Sequence, residues 1–339
     1  MLFAIGLFLL IAGTLIAVHE LGHFLLAKLF GVRVHEFMIG FGPAIIQFSH
    51  GNTLYTLRAI PFGGAVRMEG IGNQGEREKS GDIPSDSFYA KPYWQRILII
   101  AGGPLFNILF AIVLFFVVLT AIQTPVTIVD VLPESPALQA GLQAGDKILA
   151  VNDVPIGTTE ELVNSLRSSS SEEVAIVIKR GNEVLEVVAS TDEYGKIGVQ
   201  VEGYIPVDPA IAARVSVENA VDIMADIGKA MINSFRGEET IGVSGPIGIA
   251  NALKDAAING PEYLITVVAI ISLNLAFFNL LPIPVLDGGQ IFILLVQAIR
   301  NRQLTRRQLA VIQTVGVVVI LGMTVIITIT DILRLIVGR

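Results

Sequence analysis

Cysteine is absent from the 339 residues, which removes disulfides, thiolate metal ligands and cysteine nucleophiles together. Histidine is scarce. Only His19, His23, His35 and His50 occur, so any metal must be carried by these and by Asp or Glu. Charge is thin as well, at 16% of residues, and 23 Lys and Arg against 30 Asp and Glu leave a net charge of −7. No basic stripe is available to neutralise phosphates, which argues against nucleic acid as a partner. The opening Met-Leu-Phe-Ala-Ile-Gly has no basic region, and no small-residue cleavage site follows its apolar core. It reads as a retained spanning helix rather than a signal peptide.

Apolar sequence is what the chain has in abundance. At 53% hydrophobic residues and a mean hydropathy of +0.68, it is too apolar for an ordinary soluble protein. The class expected is a multi-pass α-helical membrane protein of about four spans, with a membrane-associated β-hairpin or sheet and one inserted α+β domain.

Within the first apolar run stands His19-Glu-Leu-Gly-His23, a His-Glu-x-x-His motif. On a helix the two histidines, four residues apart, project from one face, so both imidazoles reach a single metal ion. Glu20 beside them is placed to hold the water such a metal binds, which points to hydrolytic zinc chemistry. Ionisable groups inside a spanning segment are costly in lipid unless they face a protein cavity.

Taken in order, residues 1–125 form a first membrane part. Its first span runs over residues 2–30, and His19 lies roughly 25 Å along it, nearer the second membrane face. No Lys or Arg precedes Lys28, whereas Arg33, Arg58, Arg67 and others follow, so the amino terminus is expected outside and this segment cytosolic. Residues 32–69 carry the turn clusters Gly40–Pro43, His50–Asn52 and Pro61–Gly64 between short β-prone runs, a small sheet leaning on the membrane at Pro61–Met68. Residues 70–92 read as a solvated loop, and Ile97–Ile122 as the second span, with Gly102-Gly-Pro104 and Asn107 near its cytosolic end. Close packing by small residues accounts for those as well as a role near the site does.

Residues 126–203 change character to alternating Val/Ile strands and one amphipathic helix near Glu160–Leu166. Ser135-Pro-Ala, Ala140-Gly-Leu, Gly145-Asp, Ile148 and Val151-Asn follow in a string that resembles a PDZ domain of the bacterial protease type. Such domains bind extended peptides as an added strand, and a plain steric cover is an equal alternative. Residues 204–262 are expected to hold an interfacial amphipathic helix and a linker. A second membrane part, 263–339, opens with a third span that breaks at Asn279–Gly289, Asn-Leu-Leu-Pro-Ile-Pro-Val-Leu-Asp-Gly-Gly. Irregular backbone at membrane depth persists only when buried in protein or lining a cavity. Val311–Thr330 is the fourth span, with the carboxyl terminus outside.

His19 and Asp287 precede their basic boundaries, Arg33 and Arg300, by similar lengths and so share a depth. Asp287 is therefore the favoured third metal ligand, with Glu20 as general base. His35 and Glu36 are the rival third ligands, ranked below it.

These elements, with Gly40-Phe-Gly-Pro43, Pro61-Phe-Gly-Gly64, Gly103-Pro104, Asn107 and Ser244-Gly-Pro-Ile-Gly248, resemble the site-2 proteases. These are the M50-type intramembrane zinc metalloproteases, here in the bacterial form related to regulator-of-sigma-E proteases. The resemblance implies Zn2+ on His19, His23 and Asp287, with Glu20 catalytic. It implies cleavage within transmembrane segments of single-span substrates already cut by another protease, such as anti-sigma factors or signal-peptide remnants. It places the chain in the bacterial inner membrane, with the active site towards the cytosol and the PDZ domain outside. Phe62, Gly63 and Gly64 on one side, and Asn279, Pro282 and Pro284 on the other, are the expected substrate-binding residues. Relatives of the sigma-E type often carry two PDZ domains, and this chain has room for one. A metal-binding scaffold without turnover is set against this by the presence of Glu20. A metal transporter is set against it by the concentration of charged groups at one depth.

Overall fold

The computed structural model describes residues 2–71, 83–121, 125–181, 183–203, 208–236, 245–302 and 304–337. The chain separates into two compact units, one formed by Met1–Phe115 with Ser216–Arg339 and the other by Phe116–Val215.

The first unit begins with α1 (Leu2–Leu29), which carries no charged side chain before Glu20 and so has no reason to stop short of a membrane's thickness. Its chain then turns at Gly31, which adopts φ +67°, and enters two long antiparallel strands, β1 (Val34–His50) and β2 (Thr53–Met68). Both are bent. Residues 36–39 of β1 pair with 64–67 on one side and 54–57 on the other, while 44–50 pair only with 53–58. Two strands thus make a sheet of four segments, ordered 44–50, 53–58, 34–41, 60–68. The fold in β1 comes at Gly40 and Gly42, at φ +87° and +86°, where a side chain would be strained. Arg58 closes that turn by donating to the Gly42 carbonyl at 2.9 Å. Glu36 clamps the middle of the sheet. Its carboxylate accepts from Thr56 Oγ1 at 3.0 Å and lies 3.4 Å from Arg58 and 3.3 Å from Arg67, touching both neighbouring segments. Thr53 joins the sheet to α1, accepting from Lys28 Nζ and donating to the Val34 carbonyl, both at 2.8 Å.

After a single 3-10 turn at Phe88–Ala90, α2 (Tyr93–Ala121) returns along α1. Of the loop expected over 70–92, residues 72–82 lie outside the described residues.

The second unit is built on the order β7–β6–β4–β3–β8, with β3 (Thr127–Val131), β4 (Lys147–Val151), β6 (Glu173–Arg180), β7 (Glu183–Ser190) and β8 (Val199–Glu202). The short β5 (Val154–Pro155) pairs with β4. Two helices, α3 (Pro136–Gln139) and α4 (Thr159–Ser168), complete it. Alternation on β6 buries Val174, Ile176 and Ile178 against Ile128, Ile148 and Leu162. A reciprocal cap opens α4: Thr158 Oγ1 accepts from Glu161 N–H, and Glu161 accepts from Thr158 N–H. Asp146, at 1% exposure, accepts two bonds from Arg180, both 2.7 Å. Burial alone would raise its carboxyl, but the Arg180 guanidinium and the Gln143 N–H hold it below the ordinary carboxylate value.

Residues 204–262, which begin in the second unit and pass into the first at Ser216, contain two helices. These are α5 (Pro209–Phe235) and α6 (Pro246–Asn259), with 204–207 and 237–244 outside the described residues. Pro246 starts α6, whose Leu253 and Ala256 are buried as it packs on α1 and on α7 (Pro261–Leu280). An irregular stretch, residues 281–286, separates α7 from α8 (Asp287–Arg300). In it Val285 holds φ +85°, a strained conformation for a β-branched residue. Gly288 and Gly289 let the turn close, since a Cβ at either would strike the backbone of Leu280 or Ile283.

Among the described residues, three helices are long and apolar enough to span a membrane: Phe3–Leu29, Tyr93–Ala121 and Pro261–Leu280. The stretch expected as a fourth span lies within α9 (Arg306–Val337), and among the described residues its apolar run covers Arg307–Gly322.

Candidate metal centre

Helix α1 presents His19 and His23 one turn apart, and α8 brings Asp287 to them from its first turn. His19 Nε2 lies 3.0 Å and His23 Nε2 3.5 Å from Asp287 Oδ2, and the two Nε2 atoms are 3.2 Å apart. One ligand atom from each therefore falls within 4.8 Å of the others. Position at the start of α8 also favours a carboxylate, because the helix dipole is positive there.

Two observations test whether a metal suits this cluster. His23 Nδ1 sits 2.9 Å from the Ile99 carbonyl, an acceptor only, so Nδ1 carries a proton and the neutral ring turns the lone pair of Nε2 towards Asp287. Asp287 Oδ2 is itself buried, and the polar atoms set against it are the Nε2 atoms of His19 and His23. A lone pair and a buried carboxylate oxygen facing each other are repulsive unless a cation lies between them. Two imidazole nitrogens and one carboxylate oxygen form a donor set that suits zinc and leaves a fourth position open.

Helix α2 supplies what surrounds the cluster. Pro104 has no N–H for the Ile100 carbonyl, and one residue earlier the Ile99 carbonyl accepts from His23 Nδ1. Gly103 makes the space: a Cβ there would fall on the Nε2 atoms of both histidines. Gly22 and Gly102 allow α1 and α2 to meet backbone to backbone, since a Cβ at Gly22 would overlap the Gly102 carbonyl. Asn107 is wholly buried and its amide reaches His19 Nδ1 at 3.2 Å. Gly103, Asn107 and Ile99 are the neighbours that the sequence does not single out for these roles. Gly103-Pro104 followed by Asn107 is the signal available, and helix packing explains it equally well at that level.

The rival ligands are engaged elsewhere. His35 Nε2 lies 2.7 Å from Glu69 Oε2, and Glu36 is held by Thr56, Arg58 and Arg67 within the sheet. Glu20 follows His19 on α1 and its side chain lies against Gly64, where an added Cβ would come within 2.6 Å of Glu20 Cγ. Pro61 lies over Gly13, so residues 61–64 run extended along α1 towards Glu20. Among the described residues this 60–68 segment pairs on one side only. Gly63 holds φ +84°, and the side chain of Phe62 is outside the described residues. Asn279 is half-buried in the last turn of α7, Pro282 is exposed and Pro284 half-buried in the break, where Gly316 of α9 braces Pro284.

A model of peptidase family M50 matches residues 7–323. The chain belongs to that family. Relatives span nearly the whole length. A protein of Clostridium perfringens that carries the zinc metalloprotease name is 35% identical, over 96% of this chain and 97% of its own. The regulator of sigma-W protease RasP of Bacillus subtilis is 29% identical, over 97% and 98%. The zinc metalloprotease RasP of Bacillus licheniformis is 30% identical, over 97% and 98%. As an M50 member with three apolar helices of spanning length, the chain is a zinc metalloprotease and an integral membrane protein.

Proposed function

We propose that this chain is an intramembrane endopeptidase that hydrolyses peptide bonds within transmembrane segments of single-span membrane proteins. Its substrates are anti-sigma-factor-like proteins or signal-peptide remnants, cut beforehand by another protease. The observation that carries the reading is the convergence of His19, His23 and Asp287 beside Glu20, next to the edge of residues 60–68 that is unpaired among the described residues. His19, His23 and Asp287 hold the zinc. When bound, it supplies a Lewis acid that polarises the scissile carbonyl and makes water a usable nucleophile. Glu20 takes the proton from the attacking water and passes it to the leaving amine.

A helical substrate hides its carbonyls in internal hydrogen bonds, so it must be unwound before it is cut. The 60–68 edge, with Phe62, Gly63 and Gly64, receives the unwound segment as an added strand, and Asn279, Pro282 and Pro284 confine its other side. In the bacterial cytoplasmic membrane the amino terminus lies outside, α9 forms a fourth span, and the site faces the cytosol. The 126–203 domain, of PDZ type, stands outside and restricts which substrates enter.

The test is cleavage of a single-span reporter by the purified protein in detergent, comparing the parent with Glu20→Gln and with a chelator. Both should abolish cleavage while Glu20→Gln still holds zinc at about one per chain, as a base that is not a ligand requires. Glu20→Gln that still cuts at the parent rate removes the general-base assignment. Zinc held tightly without cleavage of any helix-destabilised reporter moves the reading to a scaffold.

A further inference from the structure

Asn107 is a buried polar side chain whose part in this chemistry is open. It stands one turn beyond Gly103 on α2, with 0% exposure, and its amide faces His19 Nδ1 at 3.2 Å. Its backbone carbonyl accepts from Ser272 Oγ on α7 at 2.8 Å, a tie between helices that does not involve the side chain. The two ends of an amide have nearly the same shape, so shape does not decide which end meets His19.

Hydrogen-bond chemistry does decide it. If Nδ2 donates to His19 Nδ1, the ring proton must sit on Nε2, which faces His23 Nε2 and Asp287 Oδ2, and no lone pair is left there for a metal. That orientation also leaves Asn107 Oδ1 buried without a partner. Turned over, Oδ1 accepts Nδ1–H, and His19 Nε2 offers a lone pair to the space that His23 Nε2 and Asp287 Oδ2 already face. The other half of the amide is then the unpaired one, so the count of satisfied groups is equal. Only this second orientation gives three donors pointing inward. It also matches His23, whose Nδ1–H meets the Ile99 carbonyl.

We infer that Asn107 is the positioning residue for His19, holding its carbonyl oxygen to Nδ1–H so that Nε2 is free for zinc. This rests on His19 being a zinc ligand. The experiment measures zinc affinity of the purified full-length protein in detergent by chelator competition, for the parent, Asn107→Leu, Asn107→Asp and Ser272→Ala. Asn107→Leu should weaken zinc about 10–100-fold, the usual effect of losing a ligand's hydrogen-bond partner, while Asn107→Asp, which can only accept, stays within about threefold. Ser272→Ala, which loosens the α2–α7 tie alone, should also keep parental affinity.

Parental affinity in Asn107→Leu would overturn the inference, leaving Asn107 a packing residue. Affinity lost as fully in Asn107→Asp as in Asn107→Leu would overturn it too, since His19 would then need the NH2. The Asn107→Asp result decides alone if the leucine variant does not fold. Parent protein whose zinc is untouched by His19→Ala would instead remove the ligand reading beneath it, and the inference with it.

Discussion

Gly103→Ala is the smallest change that reaches the centre, a single methyl with no charge and no lost hydrogen bond. The added Cβ would lie 2.5 Å from His19 Nε2 and 2.6 Å from its Cε1, and closer still to His23 Nε2. Ordinary contact begins at 3.4 Å, so the His19 ring must withdraw by about 0.9 Å. Neither ring has free travel. His23 is bonded to the Ile99 carbonyl and His19 to Asn107. Drawing α2 away instead would open the backbone contact at Gly22 and Gly102. Misplacement of reacting groups by about 1 Å costs on the order of 100-fold, so cleavage should fall at least that far. Zinc affinity should fall with it. The assay pairs chelator competition with reporter cleavage, and the melting temperature of zinc-free protein reports folding separately. Gly6→Ala, on α1, is the control for a glycine-to-alanine change in a spanning helix, since nothing lies within 4 Å of its added Cβ. Zinc affinity and cleavage in Gly103→Ala both within about threefold of the parent would refute the reasoning, because the rings would then have the room denied here.

Three further outcomes follow from other parts of the structure. Gly64→Ala sets a methyl 2.6 Å from Glu20 Cγ, so cleavage should drop about 10–100-fold with zinc affinity unchanged, and a parallel loss of zinc would contradict a base that is not a ligand. Thr158→Ala removes the hydroxyl half of the α4 cap and should destabilise its unit by about 1 kcal/mol, read as lost amide protection in residues 159–168 of the full chain. Asp146 titrates lower in the folded unit than in the unfolded chain, so its pairing stabilises above the unfolded value of about 3.9 and loses that contribution as pH falls through the folded one. Protection factors in β4 and β6 should therefore decline below about pH 4 in the parent and change less in Asp146→Ala.

The features legible from sequence are those where chemistry and hydropathy conflict. His19, Glu20 and His23 are conspicuous because polar groups in an apolar run need a reason, and Asp287 because its proline- and glycine-broken setting is costly in lipid. The glycine and proline clusters likewise mark where β1 and β2 turn. Their folding into four segments is not legible, since a period-2 pattern gives the faces of a strand and not its partners. Helix α6 escapes notice because its 14 residues are too few and too mildly patterned to separate from a linker. Gly103 and Asn107 are visible but mute. A small residue in a spanning helix reads as packing, and only coordinates reveal that the space it leaves holds two imidazoles.

The two sources of the metal cluster also bear on how the protein is made. Asp287 follows His23 by 264 residues, so the helix bearing the histidines is synthesised long before the third residue of the cluster exists. At about 5–20 residues per second, some 13 to 53 seconds separate them. During that interval the nascent chain has His19, His23 and Glu20 but not the Asp287 that would complete the proposed centre. On the proposed ligand set, the division between the first helix and a later one acts as a built-in delay, making activity contingent on synthesis having passed Asp287.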